Sequence, residues 1–511
     1  MLSKVYSCVL SGLEGIVIEV EIDISNGLPS LVTVGLPDTT IKESKERIRS
    51  AIKNSGYEFP ARRITINLAP ADTRKEGSHL DLPMAIGILE ASEQIKSKDI
   101  RNYGFIGELS LNGRLNRING ALSLAIGLRD SGIRKIILPM ANAEEVSIIP
   151  DIEIYPFEGL GDIIDHLNDK KVLTPFLMKP DLSKKQLNYY EEDYGDVVGQ
   201  EGVKRAFQIA AAGGHNLLMI GPPGAGKTML ARRLPTILPD MTYEEALEVT
   251  KIYSIVGLLS DNVSLIAARP FRAPHHTISP ISLVGGGKIP KPGEVSLAHY
   301  GVLFLDELPE FNRSVLEVLR QPIEDEVVTI ARVNATLTYP SKFMLIASMN
   351  PCPCGYYGDL THPCSCTPQQ IKKYLSKISG PLLDRIDLHI EVFPVKYKEL
   401  ELESNTKNSK ALKEDINKAK EIQSQRYKKE SIVFNSQMKP NHMKKYCKLG
   451  NSEKALMEEA FNKLGLSARA HNRIIKISRT IADLEESEQI QVKHIAEALQ
   501  YRNLDRKFWN L

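Results

Sequence analysis

The spacing of apolar residues changes character twice along this 511-residue chain. Up to about residue 170, strand-like alternation and helix-like spacing take turns. Residues 15–24 alternate apolar with acidic and predict a strand, and residues 40–55 gather their apolar positions on one helix face and end at Gly56. Residues 63–68 and 135–138 are strand-like, while 82–91 and 122–131 are apolar enough for buried helices. Elements alternating in this way predict an α/β domain over residues 1–170. The polar stretch from Pro175 to Asp193 predicts a linker, with bounds near 171–192.

In the second regime, short apolar runs end in residues that carry chemistry. Residues 216–220 predict a buried strand. Gly221, Pro222, Pro223, Gly224, Ala225, Gly226, Lys227 and Thr228 follow, then a helix over 227–234 that stops before Pro235. These eight residues fit the phosphate-loop pattern G-x-x-x-x-G-K-[ST], between the strand and helix it requires. Backbone N–H groups at a helix N-terminus favour phosphate, and the three glycines let the main chain approach it. Lys227 is expected to reach the β- and γ-phosphates and Thr228 to ligate Mg2+. The next run, 301–305, delivers two acids at a strand end. Asp306 suits the Mg2+ contact, and Glu307 suits the base that polarises attacking water. A third strand, 343–348, ends near Asn350, a polar residue suited to positioning that water. Arg385 follows as a candidate arginine finger acting on a neighbour's nucleotide.

Two insertions interrupt this series. Residues 325–340 predict a β-hairpin with strands 327–330 and 335–339. Residues 252–299 hold Arg269, Arg272, His275, His276 and the glycine- and lysine-rich run 284–293. That composition suits a flexible pore element touching a phosphate backbone. The two histidines have no acid or cysteine spaced nearby and are read as packing or phosphate contacts, not metal ligands.

After a polar linker at 405–410, apolar spacing predicts helices over 411–426, 452–464, 470–484 and 492–501, a small lid. Charge changes the picture here. Residues 405–511 hold 22 Lys+Arg against 13 Asp+Glu, a net +9, so the rest of the chain carries −7. A basic lid on an acidic body points to a polyanion. No apolar run has the length of a membrane span, and the acids at Glu14, Glu19 and Glu21 do not read as a signal peptide. The cytoplasm is the expected compartment, with no membrane partner. Six cysteines in a chain this long make no disulfide framework. Four of them, Cys352, Cys354, Cys364 and Cys366, fall within 15 positions and match the donor set of a structural zinc site. The C-x-C spacing is tighter than usual; reduced thiols or a redox pair are the alternatives.

Two resemblances rest on these residues. The stretch 132–139, with the helix before it and Asn142 after it, resembles the proteolytic domain of Lon-type proteases, which use a Ser–Lys dyad. Here His79, after Ser78, stands at the serine position, and residues 121–125 contain no lysine. A Lon-like fold without peptidase activity is therefore expected. Nearly the whole chain resembles the YifB/ComM family of magnesium-chelatase-like AAA+ ATPases. The carrying motifs are the phosphate loop, Arg-Pro-Phe-Arg-Ala-Pro-His-His at 269–276, the run 292–311, Asn-Pro-Cys-Pro-Cys-Gly at 350–355 and Gly-Pro-Leu-Leu-Asp-Arg-Ile-Asp at 380–387.

The resemblance implies an α/β chain. An AAA+ phosphate-loop core over 193–400, a parallel sheet flanked by helices, lies between a Lon-protease-like α/β domain and a C-terminal helical lid over 405–511. It implies ATP and Mg2+ as ligands and a homo-oligomeric, hexameric ring. From ComM-type members it implies a helicase that drives branch migration in recombination and natural transformation. Its partner would be branched or single-stranded DNA, bound without sequence preference. It makes Arg469 the second sensor, touching the γ-phosphate from the lid, with Arg473 one turn on as the alternative. It also turns the 325–340 hairpin towards the pore, with Arg332 and Asn334 near its tip. Two other classes compete. One is a chaperone-like ATPase for metal insertion, against which the Lon-like domain argues. The other is an ATP-dependent protease, opposed by the missing dyad.

Overall fold

The computed structural model describes residues 2–72, 75–97, 99–176, 192–260, 263–287, 290–332, 335–359, 362–395, 407–464, 466–502 and 504. The chain divides into two compact units, Met1–Lys185 with Tyr243–Ile266, and Gln186–Thr242 with Ala267–Leu511. Most of the predicted 171–192 linker lies outside the described residues.

The first unit is built on a seven-stranded mixed sheet. Its strand order is Ser30–Val34, Arg63–Ala69, Glu14–Ser25, Leu2–Ser11, Tyr103–Phe105, Lys135–Pro139, Glu153–Phe157. Helices Thr39–Asn54, Asp81–Ala91 and Ala121–Asp130 lie where the apolar spacing predicts them. The strand Leu2–Ser11 was not predicted. Its buried face is Ser3, Val5, Ser7 and Val9, two of them serines, so burial alternates where the apolar–polar pattern of the sequence does not. Helix Tyr243–Val256 also belongs to this unit. Its Ala246, Val249, Ile252 and Ile255 are buried. Tyr243 Oη donates to the Ile148 carbonyl at 2.7 Å, and the Ser254 carbonyl accepts from the Gly120 N–H at 3.1 Å.

The second unit carries a five-stranded parallel sheet in the order Phe271–Arg272, Val302–Leu305, Met344–Met349, Leu217–Ile220, Leu388–Glu391. Ile220 stands opposite both Met349 and Glu391, and Leu305 opposite Ala347. Parallel strands put all their carboxyl ends on one edge, and buried parallel strands are apolar throughout, as Leu217–Ile220 is. Helix Lys227–Ile237 runs past Pro235 rather than stopping before it. A proline in the last turn removes one N–H bond, and this one is buried against the core.

The reading of 252–299 as one pore element is corrected. Its first part is the first unit's helix, and Phe271–Arg272 is the edge strand of the core sheet. The Arg269 guanidinium is buried and donates to the carbonyls of Pro239 at 2.6 Å, Tyr300 at 2.7 Å and Asp240 at 3.3 Å. Arg272 grips Glu294 with two bonds of 2.6 and 2.8 Å. Both cations are committed to the fold. The hairpin is present, Val327–Arg332 against Ala335–Pro340. Asn334 and the Arg332 side chain, expected near its tip, lie outside the described residues.

The C-terminal helices Ser409–Arg426, Pro440–Tyr446, Asn451–Leu464, Ala468–Leu484 and Val492–Gln500 join the same hydrophobic core as Leu217 and Met219. A buried polar bridge ties them to the sheet. His215 Nδ1 lies 3.2 Å from Asp387 Oδ2, and its Nε2 lies 2.8 Å from the Thr480 hydroxyl. Arg473 Nε is 3.4 Å from Asp387 Oδ1. Burial works against the Asp387 carboxylate, but the His215 hydrogen bond and the Arg473 charge hold its pKa well below the usual range. A depressed carboxylate stabilises the fold above its unfolded pKa of about 3.9, and that contribution is lost as pH falls through the folded value. Asp387→Asn is expected to cost about 3–5 kcal/mol in urea denaturation at neutral pH, the range for breaking a buried pair. Below about pH 4 the variant's stability should fall less steeply with pH than that of the wild type.

Candidate nucleotide-binding site

The strand Leu217–Ile220 delivers the chain into the phosphate loop, and the helix Lys227–Ile237 leaves it. Gly226 has φ +84°, a left-handed turn that aims the next N–H groups inward. A side chain at Gly221 would collide with the Val392 carbonyl oxygen. Lys227 Nζ donates to the carbonyls of Gly221 at 2.7 Å and Pro222 at 2.9 Å, and to Asn350 Oδ1 at 3.1 Å. Burial lowers the lysine's pKa from its ordinary value, opposed by the charges of Asp306 and Glu307.

Three loops that follow three strands meet here. Thr228 Oγ1 donates to Asp306 Oδ2 at 2.7 Å, and the Ser348 hydroxyl donates to the other oxygen of Asp306. Glu307 has φ +54°, an unfavourable conformation for a residue with a side chain. Its N–H donates to Asp306 Oδ1 at 3.0 Å, and its carboxylate is largely exposed. His276 Nδ1 lies 3.7 Å from Glu307 Oε2, with the His275 ring 4.1 Å away, centroid to centroid. Thus Lys227, Thr228, Asp306, Glu307 and Asn350, predicted from separate stretches, share one edge of the sheet.

Three neighbours were missed as site residues. Ser348 sits inside a strand whose six residues are all buried, and nothing in its local pattern marks it. His276 lies in the motif at 269–276 and was read as packing or phosphate contact; it is instead the neighbour of Glu307. Gln200 adopts φ +60° and donates to the carbonyls of Ala225 at 3.0 Å and Phe393 at 2.9 Å, tying the loop to its flank.

A cavity of about 900 Å³ opens beside the loop, bordered by Gln200, Ile220, Gly221, Pro222, Tyr357 and Phe393. That volume suits a nucleoside. The Asp306 carboxylate with the Thr228 and Ser348 hydroxyls forms a set of hard oxygen donors that fits Mg2+. The ammonium and the backbone turn fit a polyphosphate.

The arginines stand elsewhere. Arg385 precedes the strand Leu388–Glu391, and its carbonyl accepts from Asn216 Nδ2 at 3.0 Å. It therefore sits at the amino edge of the sheet, a strand's length from the phosphate loop, which follows Ile220. Four residues of strand span about 13 Å. The Arg385 guanidinium donates to the Pro381 carbonyl at 2.7 Å and pairs closely with Glu324. Arg469, at the start of helix Ala468–Leu484, has Nη1 3.7 Å from Asp384 Oδ2 and a side chain 65% exposed. The residue expected to touch the γ-phosphate from the lid thus lies, within the chain, beside Asp384 and next to Arg385 at the amino edge. Arg473, the alternative, is consumed by Asp387 and by the Ile386 carbonyl at 3.0 Å. The Arg385 hydrogen bond and the charges of Arg385, Arg469 and Arg473 all lower the pKa of Glu324.

In the first unit, Ser78 Oγ donates to a Glu108 oxygen, not to a lysine. His79 is buried, and its Nε2 donates to the Cys8 carbonyl at 2.9 Å. Burial pushes its pKa down to about 4, the Cys8 bond opposing. The sulfurs of Cys352, Cys354, Cys364 and Cys366 all lie within 4.8 Å of one another.

Comparison with known proteins agrees with this geometry. Residues 193–400 match the family described as magnesium chelatase, subunit ChlI, and 406–502 match its C-terminal family. Residues 20–142 match the family described as subunit ChlI of Mg-chelatase. The competence protein ComM of Haemophilus influenzae is 45% identical over 509 residues, covering 99% of this chain and 98% of that one. The protein named YifB of Escherichia coli is 44% identical over 506 residues, covering 99% and 98%. A Lon protease of Leptospira interrogans is 29% identical over 156 residues, 29% of this chain and 18% of that one, in keeping with a Lon-like N-terminal fold. With such likeness from end to end, and with the phosphate loop, paired acids and parallel sheet in place, the chain belongs to the YifB/ComM family of magnesium-chelatase-like AAA+ proteins.

Proposed function

We propose that this protein is a ring-forming ATPase that splits ATP at the junction between subunits and uses the energy to move DNA, driving branch migration on branched or single-stranded substrates. One observation carries the reading. Lys227, Thr228, Asp306 and Glu307 lie on one edge of the sheet, and Arg385 and the exposed Arg469 lie on the other. Each subunit then holds the two complementary parts of a hydrolytic site, and a closed ring joins them.

In this reading Lys227 exchanges the carbonyls of Gly221 and Pro222 for phosphate oxygens. Asn350 keeps the lysine aligned and orients the attacking water. Glu307 takes that water's proton. Thr228 and Asp306 would hold Mg2+, which when bound neutralises charge on the β- and γ-oxygens. Arg385 leaves Glu324 for the neighbour's γ-phosphate. Glu324 ends up without that partner in the helix Arg320–Asp325, directly before the first strand of the hairpin, Val327–Arg332. Turnover at the junction thereby reaches the hairpin. The DNA half is supported by the basic excess of residues 405–511 and by the competence role in the name of the H. influenzae relative. Binding would be to the phosphate backbone and weaken with salt. The chelatase names of the matched families support a second reading, an ATPase serving a metal-insertion enzyme. A stable complex with a large porphyrin-binding subunit, with no response to DNA, favours that one.

Glu307→Gln is expected to bind ATP normally and to hydrolyse it about 10²–10⁴-fold more slowly, whereas Lys227→Ala loses binding itself. Arg385→Ala should lower kcat by about 10³-fold or more. Mixing Arg385→Ala chains with Glu307→Gln chains should restore part of the turnover, because mixed junctions regain both groups. No recovery in such mixtures points to a finger acting within its own subunit. In a four-way-junction strand-exchange assay, wild type should convert the substrate while Glu307→Gln stays bound to it. ATP turnover indifferent to forked and single-stranded DNA at low salt removes the DNA half of the proposal.

A further inference from the structure

We propose that Cys352, Cys354, Cys364 and Cys366 hold one structural zinc ion, and that this ion braces the loop forming one wall of the nucleotide cavity, so that its loss weakens ATP binding. The second half rests on the reading of that cavity as the ATP site; the first half does not.

The sulfur geometry fits one tetrahedral ion. Cys352 Sγ is 3.3 Å from Cys354 Sγ and 3.7 Å from Cys364 Sγ, Cys354 and Cys364 are 3.5 Å apart, and all four sulfurs fall within 4.8 Å. Four sulfurs at about 2.3 Å from a central Zn2+ stand about 3.8 Å apart at tetrahedral angles. All four cysteines are free. Two backbone N–H groups already point at sulfur, Cys354 N at 3.4 Å from Cys366 Sγ and Cys366 N at 3.5 Å from Cys364 Sγ. Such bonds offset negative charge on metal-bound thiolates and orient the ligands. An all-thiolate tetrahedron selects zinc or iron and rejects Mg2+ and Ca2+. Four protein ligands close the coordination sphere, which marks a structural site. On binding, the thiols release their protons to solvent and four Zn–S bonds form, with no change of oxidation state.

The position of the cluster gives it a role. Cys352 follows Asn350 by two residues, and Asn350 accepts from Lys227 Nζ at 3.1 Å. Gly355, one residue after Cys354, touches the phosphate loop: a Cβ there would stand 2.5 Å from Pro223 Cδ. Tyr357, Gly358 and Asp359, between the two cysteine pairs, line the 900 Å³ cavity opposite Gln200 and Phe393. Thr367, directly after Cys366, caps the helix Pro368–Leu375. The ion would pin the two ends of this excursion together, one at a strand end and one at a helix start. The wall is then stiff without a hydrophobic core of its own.

The test uses the full chain. Metal analysis of the purified protein should give about one zinc per chain, the stoichiometry of a four-thiolate site. Replacement by Co2+ should give thiolate-to-cobalt charge-transfer bands and the d–d bands of a tetrahedral ion. Cys364→Ser and Cys366→Ser should lose the zinc and bind a fluorescent ATP analogue more weakly, on the order of tenfold or more. Wild type stripped by a chelator should do the same and recover on adding zinc, which covers the case of a variant that misfolds. Absence of bound metal, or a cobalt spectrum without thiolate bands, overturns the site. Iron in place of zinc overturns the ion's identity. Zinc-free protein that binds the analogue as tightly as wild type overturns the brace. Zinc-loaded wild type that binds no ATP overturns the reading of the cavity, and the brace with it, while the metal and cobalt results stand independently.

Discussion

In a parallel sheet every strand points the same way, so the residues that follow the strands gather at one edge. Here the register sets Ile220 opposite Met349 and Leu305 opposite Ala347. Gly221, Asp306 and Asn350 therefore leave their strands side by side. The hydrogen bond from Thr228 to Asp306 and the one from Lys227 to Asn350 stitch three loops into one site. A one-residue slip of any of these strands would shift the group at its end by about 3.3 Å along the strand direction and separate these groups. The apolar strands thus fix the site as much as they fix the fold.

The opposite edge obeys a different rule. There the lid meets the sheet through charge held in a protected place. Asp387 is satisfied by His215 and Arg473, and His215 in turn by Thr480. This network uses up Arg473 and leaves Arg469 exposed beside Asp384, next in sequence to Arg385. Glu324 is the counter-charge to these cations: it pairs with Arg385, and the charges of Arg469 and Arg473 also lower its pKa. Conversely, Arg269 and Arg272 look like nucleic-acid contacts by composition and are structural in fact. An arginine held by buried carbonyls or by a bidentate carboxylate is committed to those partners before any phosphate arrives.

The first unit keeps a Lon-like fold. His79 is buried and uncharged at neutral pH, and Ser78 is engaged by Glu108. The unit also takes in helix Tyr243–Val256 from the midst of the second unit's sequence. Glu145 receives the hydroxyl of Ser254 as well as the N–H of Leu122 and the amide of Asn142, so that helix supplies one of a buried acid's partners.

The phosphate loop, the paired acids and Asn350 were legible because each is a local motif. A strand, a turn and the side chain that follows it are contiguous, and their chemistry depends on neighbours in sequence. The predicted helices were legible for the same reason, since 3.6-residue periodicity is written locally. The strand Leu2–Ser11 was not, because serines on its buried face and apolar residues on the other erase the alternation. Ser348 and His276 were not, because they matter only through partners far along the chain. The burial of Arg269 and the transfer of residues 243–256 to the other unit likewise follow from long-range packing. By itself the sequence determined which groups are present and the local turns that present them. Only the tertiary structure decided that Arg469 shares an edge with Arg385, and that the wall carrying the four clustered thiols borders the cavity beside the phosphate loop. Such choices depend on which surfaces a folded chain buries together, and no local pattern encodes that.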